Sequence, residues 1–307
     1  MVMINFPVDD IEHYFLALQK KLCSGLEITD GGATFVDDIW TRTNSKGITR
    51  VLTKGNVFEQ AGVNFSYVRG EELPQAATSR KPELIGCPFQ AMGVSVVIHP
   101  LNPYVPTSHM NIRFFLAKPY NTKPHWWFGG GFDLTPIYGF TEDAIHWHEV
   151  AKQACQHFGA DIYPRFKKAC DNYFRIKHRK EQRGIGGILF DDFNEKSFRD
   201  TFGFTRSIGD HFLPAYLPIV ERRRHKEFGD HERAFQLFRR GRYVEFNLVH
   251  DRGTRFGLES GGRAKSILIS LPPMAAWHYE WPISNRDGPE ESLTREFLQP
   301  KDWLGSE

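Results

Sequence analysis

Two alternating runs joined by a proline-rich turn constrain this 307-residue chain more than any other feature. Side chains of a strand alternate between its two faces. In the first run Met92, Val94, Val96 and Ile98 take one face, and Ser95, Val97 and His99 take the other. In the second, Met110, Ile112, Phe114 and Leu116 oppose His109, Asn111, Arg113 and Phe115. The link holds Pro100, Asn102, Pro103 and Pro106, residues that favour turns. If the runs pair as neighbours, their apolar faces line a core. A hydroxyl, two imidazoles, an amide and a guanidinium then share the opposite surface, a set able to grip an anion and move a proton. A merely half-solvated strand has the same pattern, and the pattern alone names no substrate.

The rest of the chain supplies a frame for these strands. Ile11, Phe15, Leu18 and Leu22 recur at helical spacing and predict a helix over 8–24, with Gly25 as its stop. Strand-like segments follow at 33–41, 48–54, 57–68, 91–99, 109–118 and 125–132, and their short links favour antiparallel pairing. A helical region is expected from Thr141 to about Gln182, broken near Gly159 and Pro164. Next come a strand at 188–192, helices over about 194–240, and strands at 243–249 and 264–271. No repeat or linker divides the chain. The order predicts one α+β domain over 1–307, a large mainly antiparallel sheet flanked by helices on both faces.

Several function classes are excluded or disfavoured. A net charge of +2 is too small for a general nucleic-acid binder. Cys23, Cys87, Cys155 and Cys170 show no CxxC or CxxxCxxC spacing, which argues against a zinc ribbon and an iron–sulfur cluster. No apolar run approaches the ~20 residues of a transmembrane span. The acidic start MVMINFPVDDIEHYF lacks the character of a secretory signal, so a cytoplasmic location is expected. No GxGxxG or GxxxxGK[ST] follows a strand, so neither NAD nor flavin binding finds support.

Three further features carry chemistry. Gly129-Gly-Gly131 lets the backbone pass close to something bulky, or forms a bulge. Asp133 follows between Phe132 and Leu134, and a carboxylate in apolar company needs a partner. It either caps the turn before Pro136 or accepts N–H groups of a ligand ring. Arg183 before Gly184, and Gly261-Gly262-Arg263, present arginines beside glycines; each either addresses a carboxylate or marks a helix end or turn. His99, His109, His148 and His178 would bind a divalent metal if the fold converges them. His178 also suits the C-terminal end of a helix, where a cation meets the dipole.

Long segments make a resemblance recognisable: VFEQAGVNFS (57–66), AMGVSVVIHP (91–100), NPYVPTSH (102–109), WWFGGGFDLTP (126–136), EDAIHWH (142–148), YPRFKKACDNYF (163–174), KHRKEQRGIGG (177–187), YLPIVERRR (216–224), FQLFRRGRYVEFNLVHDRGTRFGL (235–258) and GGRAKSILISLPP (261–273). The chain closely resembles the oxygen-dependent coproporphyrinogen III oxidases of bacterial heme synthesis. Met110 and Ile112 stand where that family has Ala and Val, and the match loosens after Pro273. The resemblance implies a homodimer, with about 243–278 contributing to the interface. It implies oxidative decarboxylation of two propionates of coproporphyrinogen III to vinyl groups, with molecular oxygen as co-substrate and no flavin, NAD or iron–sulfur cluster. It carries over Ser95, Asn111, Ile112, Arg113, Gly261, Gly262 and Arg263 as substrate-binding positions and His109 as a proton donor. His99, His109, His148 and His178 carry over as positions for a divalent metal such as manganese. The residues themselves add Arg183 for a carboxylate, Asp133 for pyrrole N–H groups, and Trp126, Trp127 and Phe132 as aromatic walls. A non-catalytic tetrapyrrole carrier and a metal-dependent hydrolase remain as readings from other classes.

Overall fold

The two alternating runs do pair. In a computed structural model, β4 (Phe89–Pro100) and β5 (Thr107–Ala117) run antiparallel, with Val94 opposite Ile112, Ser95 opposite Asn111 and Val97 opposite His109. The structure describes residues 6–73, 82–119, 123–259, 261–282 and 288–305. Around this pair stand β1 (Val36–Arg42), β2 (Ser45–Thr53), β3 (Phe58–Gly70), β6 (His125–Thr135) and β9 (Gly186–Phe193). Together they form one 7-stranded antiparallel sheet, β1-β2-β3-β4-β5-β6-β9. A small hairpin of β7 (Arg175–Ile176) and β8 (Glu181–Gln182) precedes the last strand.

The apolar face of the sheet is the core. Val94, Val96, Ile98, Met110, Ile112 and Phe114 are fully enclosed. Helix α1 (Val8–Asp30) covers β3 and β4, and α4 (Phe198–Arg223) covers β5 and β6. Helix α1 runs past Gly25, the expected stop. A Cβ at Gly25 would lie 2.7 Å from Leu213 Cδ1, so this glycine serves close packing of α1 on α4. The stop is Gly31, whose φ of 71° suits a left-handed cap, with its N–H bonded to Glu27 O. One apolar cluster runs from Ile11 to Trp303. All four cysteines are buried and unpaired.

The helical region beyond Thr141 divides into α2 (Thr141–Cys155) and α3 (Ile162–Tyr173). Pro164 is no break: it lies in the first turn of α3, where a missing N–H removes no intrahelical bond. Helix α3 ends at Tyr173, so His178 sits in the β7–β8 turn and not at a helix end.

Two expected strands are not strands. Residues 243–249 are the last turns of α5 (Asp230–Val249). Glu232 accepts the Gly229 N–H and starts that helix, and Tyr243, Phe246 and Asn247 then bury one helical side while Leu248 and Val249 face outward. Residues 264–271 form the short helix α7 (Ala264–Leu268) and a turn, preceded by α6 (Arg252–Glu259). This segment lies across the second sheet face. Side-chain amides satisfy its carbonyls: Asn64 donates to Ser266 O and Gln60 to Leu271 O, each at 2.8 Å. Helices thus flank both faces, as expected.

Glycine fixes the β6–β9 seam. Gly131 has φ 144°, and a Cβ there would stand 2.0 Å from Ile188 O. Gly131→Ala should therefore lose more than the roughly 1–3 kcal/mol of backbone strain alone. A thermal melt checks this, and an unchanged midpoint would contradict the register.

Candidate active site

Directly opposed residues of antiparallel strands share a face, so the register dictates what the second face carries. One row reads Asn64, Ser95, Asn111, Gly131 and Leu189. Beside it run Gly62, Val97, His109, Asp133 and Gly187, and on its other side Ser66, Gly93, Arg113 and Gly129. The 264–271 segment roofs the Gly62 corner, where Ile269 fills the space of a missing Cβ. Asn64, Ser66, Gly93, Ser95, His109, Asn111 and Arg113 stay partly exposed. Small residues make this floor flat, so a broad planar ligand can approach the backbone.

At one end of the floor stands a relay of three side chains. Asp133, 2% exposed, receives Arg183 Nη2 on both oxygens at 2.7 Å and Arg183 Nε at 3.2 Å. Asn247 Oδ1 accepts Arg183 Nη1 at 2.8 Å. The rings of Phe174, Tyr243 and Phe246 lie 4.1–4.8 Å from the guanidinium carbon. Burial alone would raise the Asp133 pKa, but Arg183 and the bond from His109 hold it below the ordinary value. Burial likewise pulls Arg183 down, and Asp133 more than reverses this. His109 Nδ1 lies 2.9 Å from Asp133 Oδ1. An ionised Asp133 accepts, so this bond assigns the proton to Nδ1 and leaves Nε2 without a partner among the described residues. The His109 side chain is 24% exposed and is the relay's open end.

This geometry bears on two expected roles. Arg183 is not open to a substrate carboxylate, because Asp133 and Asn247 occupy its fork. Asp133 has both oxygens bonded to Arg183 and one also to His109 Nδ1, so its described partners are side chains of this fold and it stands behind His109. The bonding needed a partner 50 residues away, which sequence order does not reveal.

Other expected residues fall in three groups. Ser95, Asn111 and Arg113 share the floor, and Arg113 Nη1 donates to Asn111 Oδ1 at 3.0 Å. Ile112 is enclosed in the core and offers the cleft no side chain. Gly261 has φ 70° in the turn after α6, Gly262 N–H bonds Gly257 O, and Arg263 holds Asp38 through two bonds of 2.8 and 3.0 Å. Of the three aromatic walls, only Trp127 lies on this side, stacked on Phe115 at 5.2 Å. Trp126 packs on Phe198 and Phe132 on Trp147, in the core.

The four histidines do not gather. Buried His99 places Nε2 2.9 Å from Ser270 O and Nδ1 3.4 Å from Thr107 Oγ1. His148 is enclosed between Tyr163 OH and Ile185 O, both at 3.0 Å. Burial lowers the pKa of His99 to about 3 and of His148 to about 4, so both are neutral ties between elements. His178 bonds His250 and Glu245 at the surface. Among the described residues no three His, Cys, Asp or Glu side chains are placed to hold a metal ion. The expected four-histidine site does not fit this fold.

Two residues at the cleft went unread in the sequence. Asp191 Oδ1 meets Arg113 Nη2 at 2.5 Å, and Asp191 Oδ2 meets Arg252 Nη1 at 3.0 Å. The available sign was a paired acid, Asp191-Asp192, inside an otherwise apolar strand run.

The buried pair sets a pH dependence. With its folded pKa depressed, Asp133 contributes stability that is fully present above the unfolded value of about 3.9 and lost as pH falls through the lower folded value. Asp133→Asn strands Arg183 and should cost about 3–5 kcal/mol, while removing this part of the acid sensitivity. Melting temperatures measured from neutral to acid pH check both, and superimposable curves would contradict them.

Residues 10–303 match a family model described as coproporphyrinogen III oxidase, a span that takes in every cleft residue named above. With that match over nearly its whole length, the chain belongs to the coproporphyrinogen III oxidase family, oxidoreductases that decarboxylate coproporphyrinogen III oxidatively in heme biosynthesis.

Proposed function

We propose that the protein converts coproporphyrinogen III to protoporphyrinogen IX with molecular oxygen as the oxidant, on the second face of the sheet. The observation that carries this reading is the Arg183–Asp133–His109 relay, open at His109 and standing at one edge of a flat floor whose other side carries Arg113. The substrate is a broad macrocycle bearing four propionates. Its rings would lie over Gly93, Ser95 and Asn111, with carboxylates directed to Arg113 and Arg263.

The stoichiometry explains the need for a proton donor. Each propionate, –CH2–CH2–COO⁻, with O2 and one proton becomes –CH=CH2, CO2 and H2O2. The electron-rich pyrrole supplies two electrons to oxygen, a β-hydrogen leaves, and the C–CO2 bond breaks. One proton must arrive per vinyl formed. His109 is the partly exposed group able to deliver it, and Asp133 stabilises the imidazolium that regains it. The reading needs no nicotinamide or flavin, because the pyrrole itself is the reductant.

The enzyme is further proposed to work in the cytoplasm as a homodimer through about 243–278. Leu248, Val249, Met274 and Trp277 expose large apolar side chains there, which supports a covered surface. No helix among the described residues is long and apolar enough to cross a membrane.

Purified protein without added flavin or nicotinamide should consume oxygen and form protoporphyrinogen IX. Undiminished turnover under strict anaerobiosis would refute the oxidant assignment. His109→Ala should lower kcat by about 10²–10⁴-fold while folding is kept; near-normal turnover would remove His109 from the chemistry.

Gly129 tests the anion site without removing it. A Cβ at Gly129 would lie 2.8 Å from Arg113 Cζ and Nη2, the far end of a flexible side chain. Gly129→Ala should push the guanidinium aside and raise KM severalfold at little cost in melting temperature. An unchanged KM would show that Arg113 does not hold the substrate from this position.

A further inference from the structure

We propose that Asp191 is an internal stand-in for a substrate carboxylate. It occupies Arg113 and is displaced when a propionate arrives. This rests on the reading of Arg113 as a propionate ligand and adds a competitor built into the chain.

The contacts are those a bound carboxylate would make. Asp191 divides its two oxygens between Arg113 on β5 and Arg252 at the start of α6, at 2.5 and 3.0 Å. Arg113, Asp191 and Arg252 side chains are 28%, 23% and 45% exposed, so an incoming anion can reach the bridge. Asp191 is not the sole support of Arg113. It bonds Asn111 Oδ1 at 3.0 Å and lies over Gly129, where a Cβ would stand 2.8 Å from its Cζ. What Asp191 adds is negative charge, and that charge lies where the substrate must put its own.

The backbone is shaped to deliver it. Between Phe128/Phe193 and Gly130/Phe190 the β6–β9 register shifts, leaving Asp191 and Asp192 opposite Gly129 alone. Asp192 takes φ 52° at this bulge. Regular alternation would send Phe190 and Phe193 to opposite faces, yet both are buried in the core. The extra residue keeps both rings inside and sends Asp191 to the cleft, the use to which bulges beside binding sites are put. The same device recurs at Arg263, whose fork is filled by Asp38.

An arginine so occupied is competent only for the fraction of time its stand-in is away, and the apparent Kd rises by the inverse of that fraction. Removing the competitor tightens binding. The test measures the Kd of coproporphyrin III, the fully oxidised tetracarboxylate that does not turn over, by fluorescence titration, with melting temperatures as a check on folding. Asp191→Asn should bind about threefold more tightly or better, the scale of a partly exposed ion pair. Asp191→Ser, which keeps an acceptor without the charge, should move Kd the same way. Asp192→Asn makes the same change in net charge one residue on, and should move it far less. Arg113→Ala should weaken binding more than about tenfold. If Arg113→Ala weakens binding but neither Asp191 variant tightens it, the stand-in is overturned and the propionate site survives. Equal tightening in Asp192→Asn would reduce the effect to net charge and overturn the proposal too. If Arg113→Ala changes nothing, the propionate site itself fails.

Discussion

Asp133 and Arg183 meet almost entirely out of water, with side chains 2% and 3% exposed. Two such charges would each cost several kcal/mol to bury alone. They are tolerated because the guanidinium fork spans both carboxylate oxygens, Asn247 takes another N–H, and three aromatic rings surround the cation. The pair joins three elements at one point: β6 through Asp133, the entry to β9 through Arg183, and α5 through Asn247 and Tyr243. His109 then acquires a fixed tautomer and direction from Asp133. The open nitrogen at the cleft follows from the closed ion pair behind it.

The cleft itself is a consequence of omitted side chains. Gly93, Gly129 and Gly131 leave the sheet bare beside Ser95 and Asn111, and Arg113 lies in the space that Gly129 frees. The 264–271 segment covers the far corner, tied down by Asn64, Gln60 and His99. His99 and His148, neutral and fully enclosed, hold elements together. A face that carries Ser95, His109, Asn111 and Arg113, the groups proposed for anion binding and proton transfer, is in this way kept accessible within a sheet covered by helices on both sides.

Much of this was legible in the sequence because strand periodicity is local. Alternation over 92–98 and 109–116 gave the β4–β5 faces, and with them Ser95, His109, Asn111 and Arg113 on one surface. The same local signal misled at 243–249, where Tyr-Val-Glu-Phe-Asn-Leu-Val alternates well enough for a strand but continues a helix begun at Gly229. At 264–271 an apolar run does not join the sheet but crosses its face, held there through side-chain amides. Partners distant in sequence were not legible. Nothing near Asp133 announces Arg183, and nothing near Arg113 announces Asp191. Four histidines suggested a metal only until the fold sent them to four surroundings.

The central claim is that the substrate lies on the second face of the sheet with its reacting edge at His109. A structure of the protein in complex with coproporphyrin III tests it most directly. The account predicts the macrocycle over Gly93, Ser95 and Asn111, a carboxylate on Arg113, and a propionate-bearing edge within hydrogen-bonding reach of His109 Nε2. A macrocycle bound elsewhere, or bound there with His109 turned away from every propionate, would contradict it.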